Sequence, residues 1–195
     1  PGRFRGTMTP ITLAGSLALG NAGHLAGLVL SQLKREGAPF LRSNPAGSGI
    51  DMRSLVSLYA DPDAGPFGWD LAHHYGIPIF GEGGCSDAKV FDAQAAAEAA
   101  LTLFDGAING VNLIHDVGYL DCAMTGSLEF LAFCDELIGW LRTYLRRLEI
   151  TEETLALDLI HQIGPDGDFF ETKHTLEHLR EGWLPRLFDR HNYQR

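Results

Sequence analysis

The sequence predicts an α/β fold of parallel strands with helices packed outside, and three observations carry that expectation. Short apolar runs at Phe40–Arg42, Ile77–Phe80 and Val111–Ile114 each end in glycine, proline or polar residues. Helical stretches separate them, the clearest being the alanine-rich segment from Asp92 to Ile108. Strands that alternate with helices are joined by right-handed crossovers, and short apolar strands suit a sheet covered on both faces. A barrel and a doubly wound sheet fit this order equally. The chain offers about three to four strands, whereas a closed barrel takes eight strand-helix units and about 250 residues. With 195 residues, Pro1 at the start and Met8 as the first methionine, the chain 1–195 reads as a single domain that is one portion of a longer protein.

In chain order, Ile11 to Leu33 carries small and apolar residues on most faces and predicts a buried helix, with Gly37 as its stop. The first strand follows and closes in Ser43-Asn44-Pro45-Ala46-Gly47, a turn-rich segment. Leu55 to Trp69 is irregular around Asp61-Pro62-Asp63-Ala64-Gly65-Pro66, and a weaker helix leads to His73-His74-Tyr75-Gly76. The second strand ends at Gly81, Gly83 and Gly84. Beyond the third strand, a helix bracketed by Ser127 and Asp135-Glu136 runs to about Arg147. Thr151-Glu152-Glu153 has the form of an N-terminal cap, and Thr172 to Arg180 forms a last helix.

A net charge of −10 and a pI near 5.1 argue against nucleic acid and anionic membrane, both of which need clustered cations. No uninterrupted apolar run of about 20 residues and no export signal is visible, so a soluble, cytoplasmic protein is expected. Cys85, Cys122 and Cys134 are odd in number and lack a CxxC pair, which indicates neither a disulfide framework nor a zinc knuckle. The oligomeric state stays open, a homo-oligomer included.

In either architecture functional groups gather in the loops after the strands. Three loops qualify. The first, Arg42 to Arg53, holds Ser43, Asn44, Asp51 and Arg53; the third, His115 to Asp121, holds Asp116, Tyr119 and Asp121. The second, Gly81 to Lys89, is richest, because Glu82, Cys85, Asp87 and Lys89 put acid, thiol and amine groups beside glycines that permit close approach. A plain glycine-rich turn with a solvated Asp-Lys pair accounts for the same residues.

Two metal patterns invite inspection. His73 and His74, with Asp70, are neighbours on a helix and point about 100° apart, which suits no single ion. His174-Thr175-Leu176-Glu177-His178 matches the inverted zincin pattern HxxEH. No third ligand is evident downstream of it, so a surface or packing role is expected there and no metal is assigned. Asp158-Leu159-Ile160-His161-Gln162-Ile163-Gly164 is one residue longer than the corrinoid signature DxHxxG, so His161 reads as an ordinary helix residue.

Gly84-Cys85-Ser86-Asp87-Ala88-Lys89-Val90-Phe91-Asp92-Ala93-Gln94, taken with Pro10-Ile11-Thr12-Leu13-Ala14-Gly15, Gly37-Ala38-Pro39, Tyr75-Gly76-Ile77-Pro78, Gly110-Val111-Asn112, Ser127-Leu128-Glu129, Gly164-Pro165 and Trp183-Leu184-Pro185, resembles the C-terminal half of the trimethylamine methyltransferase family, in its branch without pyrrolysine. The resemblance covers nearly the whole chain. It implies a partial (β/α)8 barrel of the TIM type and methyl transfer from a methylated amine to the Co(I) of a partner corrinoid protein, with no cofactor bound covalently to the chain itself. Pyrrolysine, which archaeal members carry for trimethylamine, would lie in or near Gly83-Gly84-Cys85, and its absence implies a quaternary amine such as glycine betaine. A quaternary nitrogen leaves as a neutral amine, has no N–H to donate, and is recognised by aromatic faces and carboxylates. Glu82, Cys85, Asp87 and Asp116 are therefore the candidate catalytic residues, and Phe80, Lys89, Tyr119 and Asp121 the candidate substrate contacts. The competing readings are a non-catalytic barrel remnant or interaction module, and a zinc hydrolase centred on His174 and His178.

Overall fold

The computed structural model describes residues 4–61 and 65–193. In chain order the elements are α1 (Leu13–Lys34), β1 (Ile50–Asp51), β2 (Val56–Ser57), α2 (Pro66–Tyr75), β3 (Phe80–Glu82), α3 (Ala93–Ile108), β4 (Leu113–His115), β5 (Tyr119–Leu120), β6 (Thr125–Gly126), α4 (Leu128–Tyr144), α5 (Glu152–Leu155), α6 (Leu157–Ile163) and α7 (Lys173–His178). Contacts divide the chain into two units, Pro1–Leu137 and Ile138–Arg195, with the boundary inside α4. Of the irregular stretch expected around Pro62, residues 62–64 lie outside the described residues.

In the first unit the parallel pairing is real but short. β3 and β4 run parallel in the register Phe80↔Leu113, Gly81↔Ile114 and Glu82↔His115. Arg42 adds a parallel bridge to Ile79 on the other side, its N–H donating to Pro78 O at 2.9 Å and its carbonyl accepting from Phe80 N at 2.8 Å. The first expected strand is thus a single bridge. The other two lie slightly later than the apolar runs predict, because pairing extends to the polar residues Glu82 and His115. Two antiparallel hairpins, β1 with β2 and β5 with β6, were not expected. The fold is mixed helix and sheet with short parallel strands, and the described residues form no closed barrel.

Helix α3 shows how the sequence makes an element. Asp92 caps it by accepting the Ala95 N–H at 3.1 Å, and Ala95, Ala99, Leu103 and Gly106 form its buried stripe at helical spacing. Ile114 packs so near Gly106 that a Cβ there would come within 2.8 Å of it. Trp69, Ala72 and Ile79, with Val111 packed against them, form a small core. Gly81 has no room for a side chain, since a Cβ would stand 3.0 Å from both Trp69 and Val111.

Helix α1 departs from expectation. Only Ser16 and Gly20 of it are buried, while Val29, Leu30 and Leu33 are largely exposed. At 22 residues it is long and apolar enough, by length and composition, to match a membrane span, although Ser16, Asn21 and His24 interrupt its apolar run. Its polar groups nevertheless meet protein: Ser16 Oγ donates to Ala46 O, Asn21 donates to the Tyr75 hydroxyl at 3.1 Å, and His24 Nε2 lies 3.3 Å from Ser43 Oγ.

The second unit is built differently. No described residue after Leu137 is fully buried. Its contacts include ring stacking of Trp140 on Trp183 at 5.5 Å, the Arg190 guanidinium 5.0 Å over Trp183, and local caps. Thr151 caps α5 through the Thr154 N–H at 3.1 Å, and Thr172 caps α7 through the Thr175 N–H at 3.2 Å.

Candidate functional site

The carboxyl ends of β3 and β4 put Glu82 and His115 side by side. Residues two apart in a strand share a face, so Phe80 accompanies Glu82, and its ring stacks on the His115 imidazole with centroids 4.2 Å apart and planes 16° apart. The chain then turns at Asp116, which takes a positive φ of 68°, a strained conformation for a residue with a side chain. Both of its oxygens are engaged. Oδ1 meets His115 Nδ1 at 2.9 Å, and Oδ2 accepts the Tyr59 hydroxyl at 2.5 Å.

Tyr59 comes from the segment after β2, and Asp87 holds it there. The Asp87 carboxylate accepts the Tyr59 N–H at 2.9 and 3.0 Å and the Ala60 N–H at 3.1 Å. The glycine-rich loop is in turn fixed to α3. Glu98 accepts from Ser86 Oγ at 2.5 Å and from Asp87 N at 2.8 Å, and Gly84 N donates to Thr102 Oγ1 at 3.0 Å. Gly84 has a φ of +70°, and a Cβ there would stand 3.2 Å from Val117 and 3.4 Å from Leu103, so the turn favours glycine.

These side chains surround a cleft of about 830 Å³, whose lining includes His24, Tyr59, Phe80, Glu82, Cys85 and His115. Glu82 opens into it. The carboxylate is reached by solvent yet ringed by protein, and this partial loss of hydration raises its pKa; His115 opposes the shift and Asp116 reinforces it. No described residue donates a hydrogen bond to Glu82. Burial, followed by the bond to Asp116, pushes the Tyr59 phenol far above its usual range, so it remains a protonated donor. Cys85 is fully buried, and burial together with Glu82, Asp116 and Asp87 pushes its thiol far up. A thiol so held is a neutral wall group at pH 7, since the thiolate is the reactive form.

The predicted residues therefore separate in space. Phe80, Glu82 and Cys85 line the cleft, Asp116 ties His115 to Tyr59, and Asp87 positions Tyr59 from behind. Lys89 and Asp121 pair with each other at 2.6 Å on the exposed side of the loop, and Tyr119 belongs to the β5–β6 hairpin, outside the cleft lining. Tyr59 escaped the sequence reading, as did the role of His115. Nothing in the irregular Leu55–Trp69 stretch signals the tie between Tyr59 and a carboxylate 57 residues away.

Among the described residues, two groups of side chains could hold a metal ion. Glu82, His115 and Asp116 offer donor atoms within 4.8 Å of one another, and so do Glu153, His174 and His178 in the second unit. In the second group the two histidines expected in a surface or packing role lie beside Glu153, which comes from upstream of them.

The Trimethylamine methyltransferase (MTTB) family profile matches residues 1–195. The chain is 37% identical over 193 residues to a glycine betaine methyltransferase of Desulfitobacterium hafniense strain Y51, covering 96% of this chain and 40% of that protein. It is 34% identical over 188 residues to the trimethylamine methyltransferase MttB of D. hafniense strain DSM 10664 / DCB-2, covering 95% and 38%, and 32% identical over 191 residues to that of Methanosarcina barkeri strain Fusaro, covering 96% and 38%. The chain thus spans about two fifths of the length of these relatives. Matched along its whole length by the family profile, the chain belongs to the trimethylamine methyltransferase family.

Proposed function

We propose that this chain forms the substrate-holding wall of a corrinoid-dependent methyltransferase that takes a methyl group from a quaternary amine, within a partial barrel of the TIM type. The observation that carries the reading is the stacked Phe80–His115 pair beside the Glu82 carboxylate at the ends of parallel strands. Such a site suits a cation that cannot donate a hydrogen bond. The rings offer polarisable faces, and Glu82 offers a compensating charge with no donor of its own. The relatives named above act, by their names, on glycine betaine and on trimethylamine. A chain without pyrrolysine fits the quaternary member of that pair.

Catalysis here is positioning. When bound, the Co(I) of a partner corrinoid would provide the electron pair that accepts the methyl group, and the electrons of the broken N–C bond would stay on nitrogen and neutralise it. Phe80 and His115 hold the ammonium head, and Asp116 fixes the His115 ring through Nδ1. Tyr59 holds Asp116, so the ring plane is set before substrate enters. No proton needs to move. The neutral Cys85 thiol and the protonated Tyr59 fit a reaction that requires neither nucleophile nor base from the protein.

The test uses a polypeptide carrying this chain at the full length of its relatives, together with a reduced corrinoid protein, and follows methyl-cobalt formation by absorbance. Glycine betaine and carnitine are compared with trimethylamine. Transfer from a quaternary amine with trimethylamine untouched is expected. Consumption of trimethylamine alone would overturn the assignment of substrate class.

A further inference from the structure

We infer that Glu153, His174 and His178 form a binding site for one divalent transition-metal ion, zinc by its chemistry, that fastens α5 to α7. Glu153 lies in α5, and the two histidines stand one helical turn apart on α7, the spacing that turns both rings to one face. Their donor atoms lie within 4.8 Å of one another and surround a single oxygen: His178 Nε2 is 2.6 Å and His174 Nδ1 3.6 Å from Glu153 Oε1. The ring centroids are 4.5 Å apart with planes tilted by 47°, which keeps both imidazoles beside the Glu153 carboxylate.

Two imidazoles and a carboxylate are a zinc donor set, with ligand distances of about 2.0–2.2 Å. Tetrahedral geometry at those distances separates neighbouring donors by roughly 3.3 Å. The His174–Glu153 spacing of 3.6 Å is already close to this, and the 2.6 Å His178–Glu153 spacing must open by several tenths of an ångström. His178 is also supported from behind, because Nδ1 lies 2.6 Å from Glu181 Oε1. A carboxylate that accepts the Nδ1 proton leaves the Nε2 lone pair for the metal, the usual outer support of a zinc-bound histidine. The side chains of His174 and His178 are 31% and 26% exposed, which leaves an open side for a water ligand.

The site is structural rather than hydrolytic. Glu177, the acid of the HxxEH pattern, is exposed and paired with Lys173 at 3.4 Å, and it is not among the converging donors. What the unit lacks is a core. None of α5, α6 and α7 has a buried residue, and metal binding is folding free energy where apolar burial is scarce. This inference does not rest on the proposed methyl transfer.

The experiment strips the 195-residue chain with a chelator, dialyses it against zinc, and measures zinc per chain by elemental analysis. Wild type, Glu153→Gln, His174→Ala/His178→Ala and, as a control in the same unit, His161→Ala are compared, with circular dichroism to establish that each is folded. One zinc per wild-type chain is expected, with unchanged loading in His161→Ala and affinity at least about tenfold weaker in the double variant. Cobalt(II) should give the visible absorption of a four-coordinate N/O site in wild type and not in the double variant. A substoichiometric wild type, or equal loading of the double variant, would overturn the site. If the double variant is unfolded, Glu153→Gln decides, since a ligand role predicts weaker zinc binding in a folded protein.

Discussion

Asp87→Asn separates two readings of the glycine-rich loop. The loop's residue types suggest a carboxylate facing the substrate, whereas in the structure Asp87 receives the backbone N–H groups of Tyr59 and Ala60 at 2.9–3.1 Å. Asparagine keeps one accepting oxygen, which can retain a Tyr59 bond. It replaces the other with an NH₂ group that faces two N–H donors, so the Ala60 bond and the charge are both lost. A hydrogen bond to a charged group is worth about 1.5–3 kcal/mol, so the substitution should destabilise the first unit by about 1.5–3 kcal/mol. Asp87→Ala should cost at least as much, because it abandons both N–H groups. Urea unfolding at pH 7, followed by circular dichroism, reads both. The expected result is a lower midpoint at unchanged slope, with weaker substrate binding as a consequence of a displaced Tyr59. An Asp87→Asn chain as stable as the parent to within about 0.5 kcal/mol, the ordinary range for a neutral surface change, but unable to support methyl transfer, would refute the positioning role.

Three further outcomes follow from the same geometry. Gly20→Ala should lose about 1–3 kcal/mol through overpacking, since its Cβ would lie 2.7 Å from the Pro45 carbonyl carbon, whereas Gly27→Ala, whose nearest neighbour is Phe40 at 4.0 Å, should be neutral or stabilising; thermal unfolding distinguishes them. Glu82 has a folded pKa above its ordinary 4.5, so the folded state holds the extra proton, and its contribution is full below pH 4.5 and is lost as pH rises through the folded value. Unfolding measured from pH 4 to 7.5 should show that decline in the parent and not in Glu82→Gln; equal slopes would contradict it. In alkylation mapped by mass spectrometry, half-buried Cys122 should react before Cys85 and Cys134, which are buried, the latter with its thiol pushed up to about 11; early labelling of Cys85 would contradict the neutral buried thiol.

What the sequence makes legible is local. The Asp92 cap and alanine stripe of α3, the threonine caps of α5 and α7 and the three loops after apolar runs depend on residues within a few positions of one another, and they appear in the structure close to where the pattern puts them. The hairpins are invisible to that reasoning, because their turns use Leu55, Asp121, Cys122 and Ala123 at positive φ rather than an Asn-Gly or Asp-Gly pair. The exposure of α1 is likewise unreadable from its apolar composition, which measures what a helix could bury and not what is there to cover it. Site roles fail for the same reason. Glu82 ends β3 and Asp87 lies in the loop after it, and they have similar chemistry, yet Asp87 is spent on backbone N–H groups and Glu82 opens into the cleft, a difference decided by a tyrosine 28 residues before Asp87. Likewise Glu153, the acid beside His174 and His178, lies more than 20 residues upstream of them, beyond the reach of a local pattern.

The central claim is that the Phe80, His115 and Glu82 cluster recognises the positive charge of a quaternary nitrogen. Its most direct test is calorimetric binding of glycine betaine and of its uncharged-centre isostere 3,3-dimethylbutyrate, in which carbon replaces nitrogen, to a polypeptide carrying this chain at the full length of its relatives. The account predicts that glycine betaine binds at least about tenfold more tightly, as expected if a desolvated cation–π contact contributes about 2 kcal/mol, and that Phe80→Leu and Glu82→Gln each reduce that preference. Equal affinity for the two ligands, or a preference unchanged in both variants, would contradict it.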